Sequence, residues 1–292
     1  MALLLLLLIS LGIIWGSGYS IARYCMTHGV PPLGYAFWQS AGPAIFLTLL
    51  VLGRRLPFSF KPEYLRYYIL CGLLGIALPN TLMYFASAHL PSGIIAVLVN
   101  TVPIWIYPLS LLLAQESFHK LRFLAVLIGV LGMVLMVHEG LQWPQTSHIP
   151  WILAILLVPL SFALCAVFIA AFRPVPSNSL SLSAGMLIVS TVCVAPWAVG
   201  TDNIYPFHWP LTQLNWLILL EIALSSTGYV ILFSLLKRAG PVFYSLVGGV
   251  VSLTGLFWGM VIFQESLNFM TIVSIVCILG AIILMHLNLR KK

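Results

Sequence analysis

SGIIAVLVNTVPIWIYPLSLLLAQESF (residues 92–118) and PVFYSLVGGVVSLTGLFWGMVIFQESL (residues 241–267) are two copies of one pattern. Each is a long apolar run that stops on Gln-Glu-Ser, at Gln115-Glu116-Ser117 and at Gln264-Glu265-Ser266. The copies stand 149 residues apart in a chain of 292, so the repeating unit is about half the protein. A unit of that size used twice changes every later inference. The first copy is interrupted near its middle by Pro103, which removes a backbone donor and favours a kink.

Outward from this repeat, 61% of the residues are hydrophobic and 7% are charged, against about a quarter charged in a soluble domain. A globular fold could not hide that much apolar surface, and the chain reads as an all-α polytopic membrane protein. The formal charge of +7 comes from basic residues in short inter-helix loops, where it reports topology rather than nucleic-acid binding. The five cysteines are scattered and form no CxxC, a pattern of free thiols rather than of disulfides or a metal site. The N-terminal run lacks a basic n-region and a small-residue cleavage site, and so reads as the first span rather than a signal peptide.

A crossing helix needs about 20 mostly apolar residues. That requirement predicts ten spans, over 3–22, 33–52, 65–86, 92–114, 121–137, 151–172, 180–199, 214–236, 242–263 and 270–287. Twelve of the thirteen lysines and arginines then fall on the side of the two termini, leaving Arg23 alone on the other. Such a split places both termini in the cytoplasm. Five spans per repeat is an odd number, so the second half enters the membrane in the opposite sense to the first. The expected organisation is a five-helix unit over 1–140 and an inverted five-helix unit over 141–292, as in many secondary transporters.

LCGLLGIALPNTLMYFASAHLPSGIIAVLVNTVPIWIYPLSLLLAQESF (70–118) and LLEIALSSTGYVILFSLLKRAGPVFYSLVGGVVSLTGLFWGMVIFQESL (219–267) also carry a likeness to a known family. With Glu116 and Glu265 closing the two runs, the chain resembles the EamA-type branch of the drug/metabolite transporter superfamily. That resemblance extends over nearly the whole chain, and it is closest to the superfamily's amino-acid exporters. It implies ten helices in two five-helix repeats and an efflux direction. Family members often carry an arginine early in helix 2, where this chain has Phe37-Trp38-Gln39-Ser40.

Polar groups inside a membrane span are costly unless partnered, so they turn into the bundle, either to line a cavity or to join helices. Asn80 and Tyr84 share a face of helix 3 with Ser87. Asn100 and Tyr107 share one on helix 4, beside Thr101, and Thr227 and Tyr229 lie at mid-depth on helix 8. Ser245 and Ser252 stand on helix 9 among small residues, which also suit close helix packing, as does Gly12-x-x-x-Gly16 on helix 1. Trp15, Tyr19 and Trp105 lie well within spans, where they would wall a substrate pocket or pack the core. Trp143, Trp151, Trp209 and Trp216 sit at span ends as interfacial anchors. Pro79 and Pro103 are the expected kinks. Glu221 is the acidic residue inside a span, in its outer third, and is a possible proton or amine site. Ser117 and Ser266 suit N-caps of the helices that follow them, with Glu116 and Glu265 favouring those helix dipoles.

These features point to secondary transport. No P-loop is present, and no paired-carboxylate, serine–histidine or metal-ligand motif supports an integral-membrane enzyme, so no cofactor is expected. A core with almost no fixed charge favours a neutral or zwitterionic solute, with amino acids, aromatic ones included, ahead of amphipathic drugs. The expected partners are that small-molecule substrate and the lipid bilayer of the cell's inner membrane, with no nucleic acid and a functional monomer, a dimer being the alternative.

Overall fold

The computed structural model describes residues 2–112, 118–141, 148–207, 209–244, 247–265 and 267–287. All its regular structure is helical, with no strand among the described residues. In chain order the helices are α1 (Ala2–Thr27), α2 (Pro32–Gly53), α3 (Pro62–Gly72), α4 (Leu78–Ser87), α5 (Ser92–Val99) and α6 (Val102–Leu112), followed by α7 (Lys120–Leu141), α8 (Ile149–Phe172), α9 (Ser179–Gly200), α10 (Gln213–Tyr244), α11 (Val247–Phe263) and α12 (Phe269–Leu287). A π-helical turn, Leu73–Ala77, joins α3 to α4. Among the described residues, seven stretches of at least 18 residues are apolar enough to cross a membrane, and α11 is a shorter apolar helix. The outward faces are apolar too, with Leu6 on α1, Leu49 on α2, Val192 on α9 and Val276 on α12 all exposed. That surface suits lipid rather than water.

Helix pairing has a regularity that follows the repeat. α2 packs along α9, and α7 along α12. α1 lies against α10 and α11, while α8 lies against α4, α5 and α6. Moving any of these pairings by the 149-residue offset lands on another of them. α2 thus meets its own counterpart, and the α1–α11 contact becomes the α8–α6 contact.

The breaks within spans have visible causes. Pro79 has no N–H to donate back along the helix, and its ring crowds the preceding turn. The chain responds with the π-turn, in which the Leu78 amide reaches Leu73 O. A fifth-neighbour bond to Leu74 O would need the amide that Pro79 lacks. The Ser161 hydroxyl of α8 takes that place, donating to Leu74 O at 2.7 Å. The second break separates α5 from α6 at Asn100-Thr101, and Pro103 falls in the first turn of α6, where a missing N–H costs least. The Ala96 carbonyl accepts the Asn100 side-chain amide at 2.7 Å and the Ser252 hydroxyl of α11 at 3.3 Å.

Three expectations need correction here. α10 continues through Lys237 and Arg238 to Tyr244, where the sequence reading placed a loop and began the ninth span at residue 242. Leu236-Lys237-Arg238-Ala239 are all good helix formers, and they carry the helix across Gly240-Pro241, the pair that favours a break there. Tyr107 does not extend a polar stripe into the bundle. It fastens the start of α7, its hydroxyl accepting from His119 N at 2.7 Å.

The third correction concerns Glu265. It does not favour the helix after it, because α12 is capped by Asn268, whose Oδ1 accepts from Thr271 N at 2.8 Å. Gln264 takes a left-handed backbone (φ 54°) that turns the chain back. Glu265 thereby caps α5 instead, accepting from Ser92 N at 2.8 Å, Ser92 Oγ at 3.0 Å and Gly93 N at 3.2 Å. It also forms an ion pair with Arg23 of α1, whose guanidinium lies 4.5 Å from the Phe263 ring centroid. The lone basic residue on its predicted side therefore has a structural partner. Glu116, Ser117 and Ser266 lie outside the described residues.

Two stability outcomes follow. Ser161→Ala leaves the half-buried Leu74 carbonyl without its donor, a loss of about 1 kcal/mol, and should lower the unfolding midpoint of the purified protein in detergent. Wild-type stability would mean that the carbonyl is satisfied in another way. Arg23→Gln and Glu265→Gln, measured singly and together, should lower the midpoint by less in the double variant than the sum of the two, as expected for groups in one network. Additive shifts would show that the pair carries no coupling.

Candidate functional site

The residues singled out in the sequence gather around α1, which is flanked by α10 and α11 and also touches α4 and α5. Small residues set the α1–α11 spacing. A methyl group on Gly16 would stand 2.5 Å from Thr254 Cβ and 2.8 Å from Val251 O. Bulk is therefore excluded from that face of α1, as the Gly-x-x-x-Gly pattern suggested. On the neighbouring face, Trp15, Gly18 and Tyr19 follow one another at helical spacing; the first two meet α10 and the third meets the α5–α6 break.

Trp15 meets Tyr229 of α10 edge-on, with ring centroids 6.3 Å apart, and its indole lies against Gly228, where an added methyl would stand 2.6 Å from Nε1. Tyr19 is buried, and its hydroxyl accepts a long bond, 3.5 Å, from the Asn100 amide at the α5–α6 break. Gly18 brings the α1 backbone against Glu221 of α10, where a methyl would lie 2.7 Å from Oε1. Three predicted site residues, Trp15, Tyr19 and Asn100, thus belong to one neighbourhood, with Tyr229 and Glu221 opposite.

Glu221 is buried within the bundle. The eight residues from the start of α10 carry it about 12 Å along the axis, and it is 7% exposed. Its Oε1 accepts from Ser225 Oγ at 3.2 Å, one turn along α10. Ser225 Oγ also lies 3.4 Å from Gln39 Oε1 of α2. Glu221 Oε2, Gln39 Nε2 and the Tyr35 hydroxyl are buried and have no hydrogen-bond partner among the described residues. Tyr35 packs edge-on against Tyr84 of α4, centroids 4.7 Å apart. Glu221 has no ion pair among the described residues, and the titratable groups within its electrostatic reach are Cys25 of α1, Tyr35 of α2 and Tyr84 of α4.

Tyr35 and Gln39 were not singled out from the sequence. Their one-turn spacing on α2 was visible, but Gln39 stood out there only as a departure from the family's arginine. Burial with an unmet donor is what marks it. The structure also removes some expected members. Thr227 is exposed and donates to Ala223 O at 2.7 Å, so it faces away from this cluster. Ser252 is fully buried, with its hydroxyl on Ala96 O and Gly248 O, which makes it a fastener between α11 and α5. Trp105 is half-buried, with its indole N–H lacking a partner among the described residues, and Asn80 is half-buried just after Pro79. Ser245 lies outside the described residues. Of the expected interfacial tryptophans, Trp209 and Trp216 are exposed and Trp151 stacks on His89 at 4.1 Å, while Trp143 lies outside the described residues. Among the described residues no group of histidine, cysteine and carboxylate side chains could hold a metal ion.

Known proteins agree with this architecture. The chain is 27% identical over 285 residues to protein PecM of Dickeya dadantii, an overlap of 96% of this chain and 92% of that one. It is 25% identical over 281 residues to the uncharacterized transporter YoaV of Bacillus subtilis, covering 95% and 92%. The uncharacterized inner membrane transporter YedA of Escherichia coli matches at 33% over 165 residues, 55% of this chain and 51% of that protein. A crystal structure at 16% identity superposes over 100% of this chain and 99% of its own with a TM-score of 0.65, a likeness of fold alone. The EamA-like transporter family matches twice, over residues 2–138 and 149–287, and the chain, a polytopic helical membrane protein, belongs to that family.

Proposed function

We propose that this protein is a secondary transporter that exports amino acids, neutral and aromatic ones among them, or closely similar small metabolites, by alternating access. Transport of a small molecule across a membrane is the activity of its family. The finer reading rests chiefly on one observation. Where α1, α2, α4 and α10 meet, a buried carboxylate, amide and phenol are left without partners among the described residues, while the aromatic rings of Trp15, Tyr19, Tyr84 and Tyr229 stand close by. A site with an apolar wall and few polar groups suits a small amphipathic solute.

The ten-span topology with both termini in the cytoplasm of an inner-membrane protein belongs to the same proposal. Two observations support it. The end of α1, the start of α5 and the end of α11 are joined through Arg23, Ser92 and Glu265, and the ten-span count puts all three on one side. The helix pairings repeat at the 149-residue offset, with two family matches over the same halves. Units at 1–140 and 141–292, rocking about their shared cluster, give alternating access. Pro79 and the Asn100–Pro103 break are the points where spans could bend.

Purified protein in liposomes, offered a panel of labelled amino acids, nucleobases and cationic drugs, tests the substrate class. Counterflow of neutral amino acids is the expected result, and selective movement of the drugs would favour the multidrug reading. Tyr84→Ala and Asn100→Ala should cut transport at least tenfold while leaving membrane insertion intact, and Thr227→Ala should have no effect. Wild-type rates in both site variants would remove these residues from the substrate path.

A further inference from the structure

We propose that Tyr35, Gln39 and Glu221 form a head-group site for a solute that carries a protonated amine beside a hydrogen-bond acceptor, and that the amine displaces a proton held by Glu221. This deepens the transport function proposed above and rests on it.

The argument starts from what the site lacks. A carboxylate in a membrane span, 7% exposed and with no cation paired to it among the described residues, cannot hold a bare charge without a large desolvation cost. Buried in this way, Glu221 is therefore protonated, or bound to a cation. The groups packed around it offer no alternative. α1 presents the glycine backbone of Gly18 and the Cys25 thiol, α2 presents Tyr35 and Gln39, α4 presents Tyr84, and α10 itself presents Ser225. None of these is a base or a fixed positive charge.

A proton alone does not account for the whole cluster. Gln39 Nε2 and the Tyr35 hydroxyl are donors, 4% and 0% exposed as residues, and neither has an acceptor among the described residues. The Ser225 hydroxyl, between Glu221 Oε1 and Gln39 Oε1, holds the acid and the amide side by side. An acceptor oxygen on the same solute would meet both donors while its ammonium meets Glu221. An amine next to a carboxylate has this pairing of charges, and a bare cation does not.

The exchange balances. As the ammonium approaches, the O–H bond of the Glu221 carboxyl breaks and its electron pair stays on the carboxylate. The proton leaves to water through whichever side is open, and the amine keeps all its N–H bonds. Binding of the amine on one side and of a proton on the other then moves the two in opposite directions.

Three probes separate the parts: L-phenylalanine, phenethylamine, which lacks the carboxylate, and 3-phenylpropionate, which lacks the amine. With the full-length protein in weakly buffered detergent and a pH indicator, binding of L-phenylalanine or phenethylamine should release a proton, and 3-phenylpropionate should release none. Glu221→Gln should abolish the release. Gln39→Leu should weaken L-phenylalanine about tenfold, the loss of one hydrogen bond to a charged group, and leave phenethylamine little changed. Amine binding that releases no proton, or that is indifferent to Glu221→Gln, overturns the site. Infrared spectra of the ligand-free protein supply a readout that needs no substrate. A protonated-carboxyl band that disappears in Glu221→Gln keeps the site standing even if none of the three probes binds, in which case the amino-acid reading alone falls. Absence of that band overturns the site itself.

Discussion

Hydrocarbon offers no hydrogen bonds, so every irregularity in a membrane helix must find its partner on another helix. This constraint organises the molecule. Pro79 strands the Leu74 carbonyl, and Ser161 meets it. The break after Val99 exposes the Ala96 carbonyl, and Ser252 helps to cover it. The start of α5 leaves free amides at Ser92 and Gly93, and Glu265 accepts from both. In each case the fault lies in the first half of the chain and its partner in the second. The two halves are joined where their helices are imperfect.

Such joints are strong enough to set a conformation and weak enough to give way. A single neutral hydrogen bond contributes about 1 kcal/mol net, within reach of the binding energy of a small solute. The Glu265 joint is heavier, since it adds an ion pair and a helix dipole to three hydrogen bonds. In the alternating access proposed above, such a joint would open only when several contacts are lost together, a two-state rather than a gradual change.

α1 is the element against which the rest is set. One face carries Gly12 and Gly16, so that α11 approaches closely there and α1 cannot rotate without a clash. That holds the adjacent face, Trp15 to Tyr19, towards α10 and the α5–α6 break. The cluster at Glu221, Gln39 and Tyr35 is the exception to the rule of satisfied polar groups. In the transport function proposed above, an exception that places acceptor and donors together is where a polar solute would gain most by entering.

Much of this was legible in the residues. Composition required a membrane, because so few charges cannot solubilise so much apolar surface. The doubled Gln-Glu-Ser run located the repeat, and the glycines of α1 announced a close neighbour. Single-residue roles were less accessible, for a physical reason. Glu265 looked like a local cap because local partners are all that a linear reading can weigh, whereas its partners lie 173 residues away at Ser92 and 242 away at Arg23. Thr227 looked like a site residue because hydroxyls inside spans turn inward unless they bond their own helix, as this one does. Gln39 and Tyr35 were not read as site residues because an amide or a phenol in a span is ordinary until its partners are counted. The sequence by itself determined a helical, twice-repeated membrane protein, since hydropathy and periodicity are properties of the chain. Only the tertiary structure decided which polar groups are spent on joining helices and which are left unmet, because that depends on what each atom finds across the bundle.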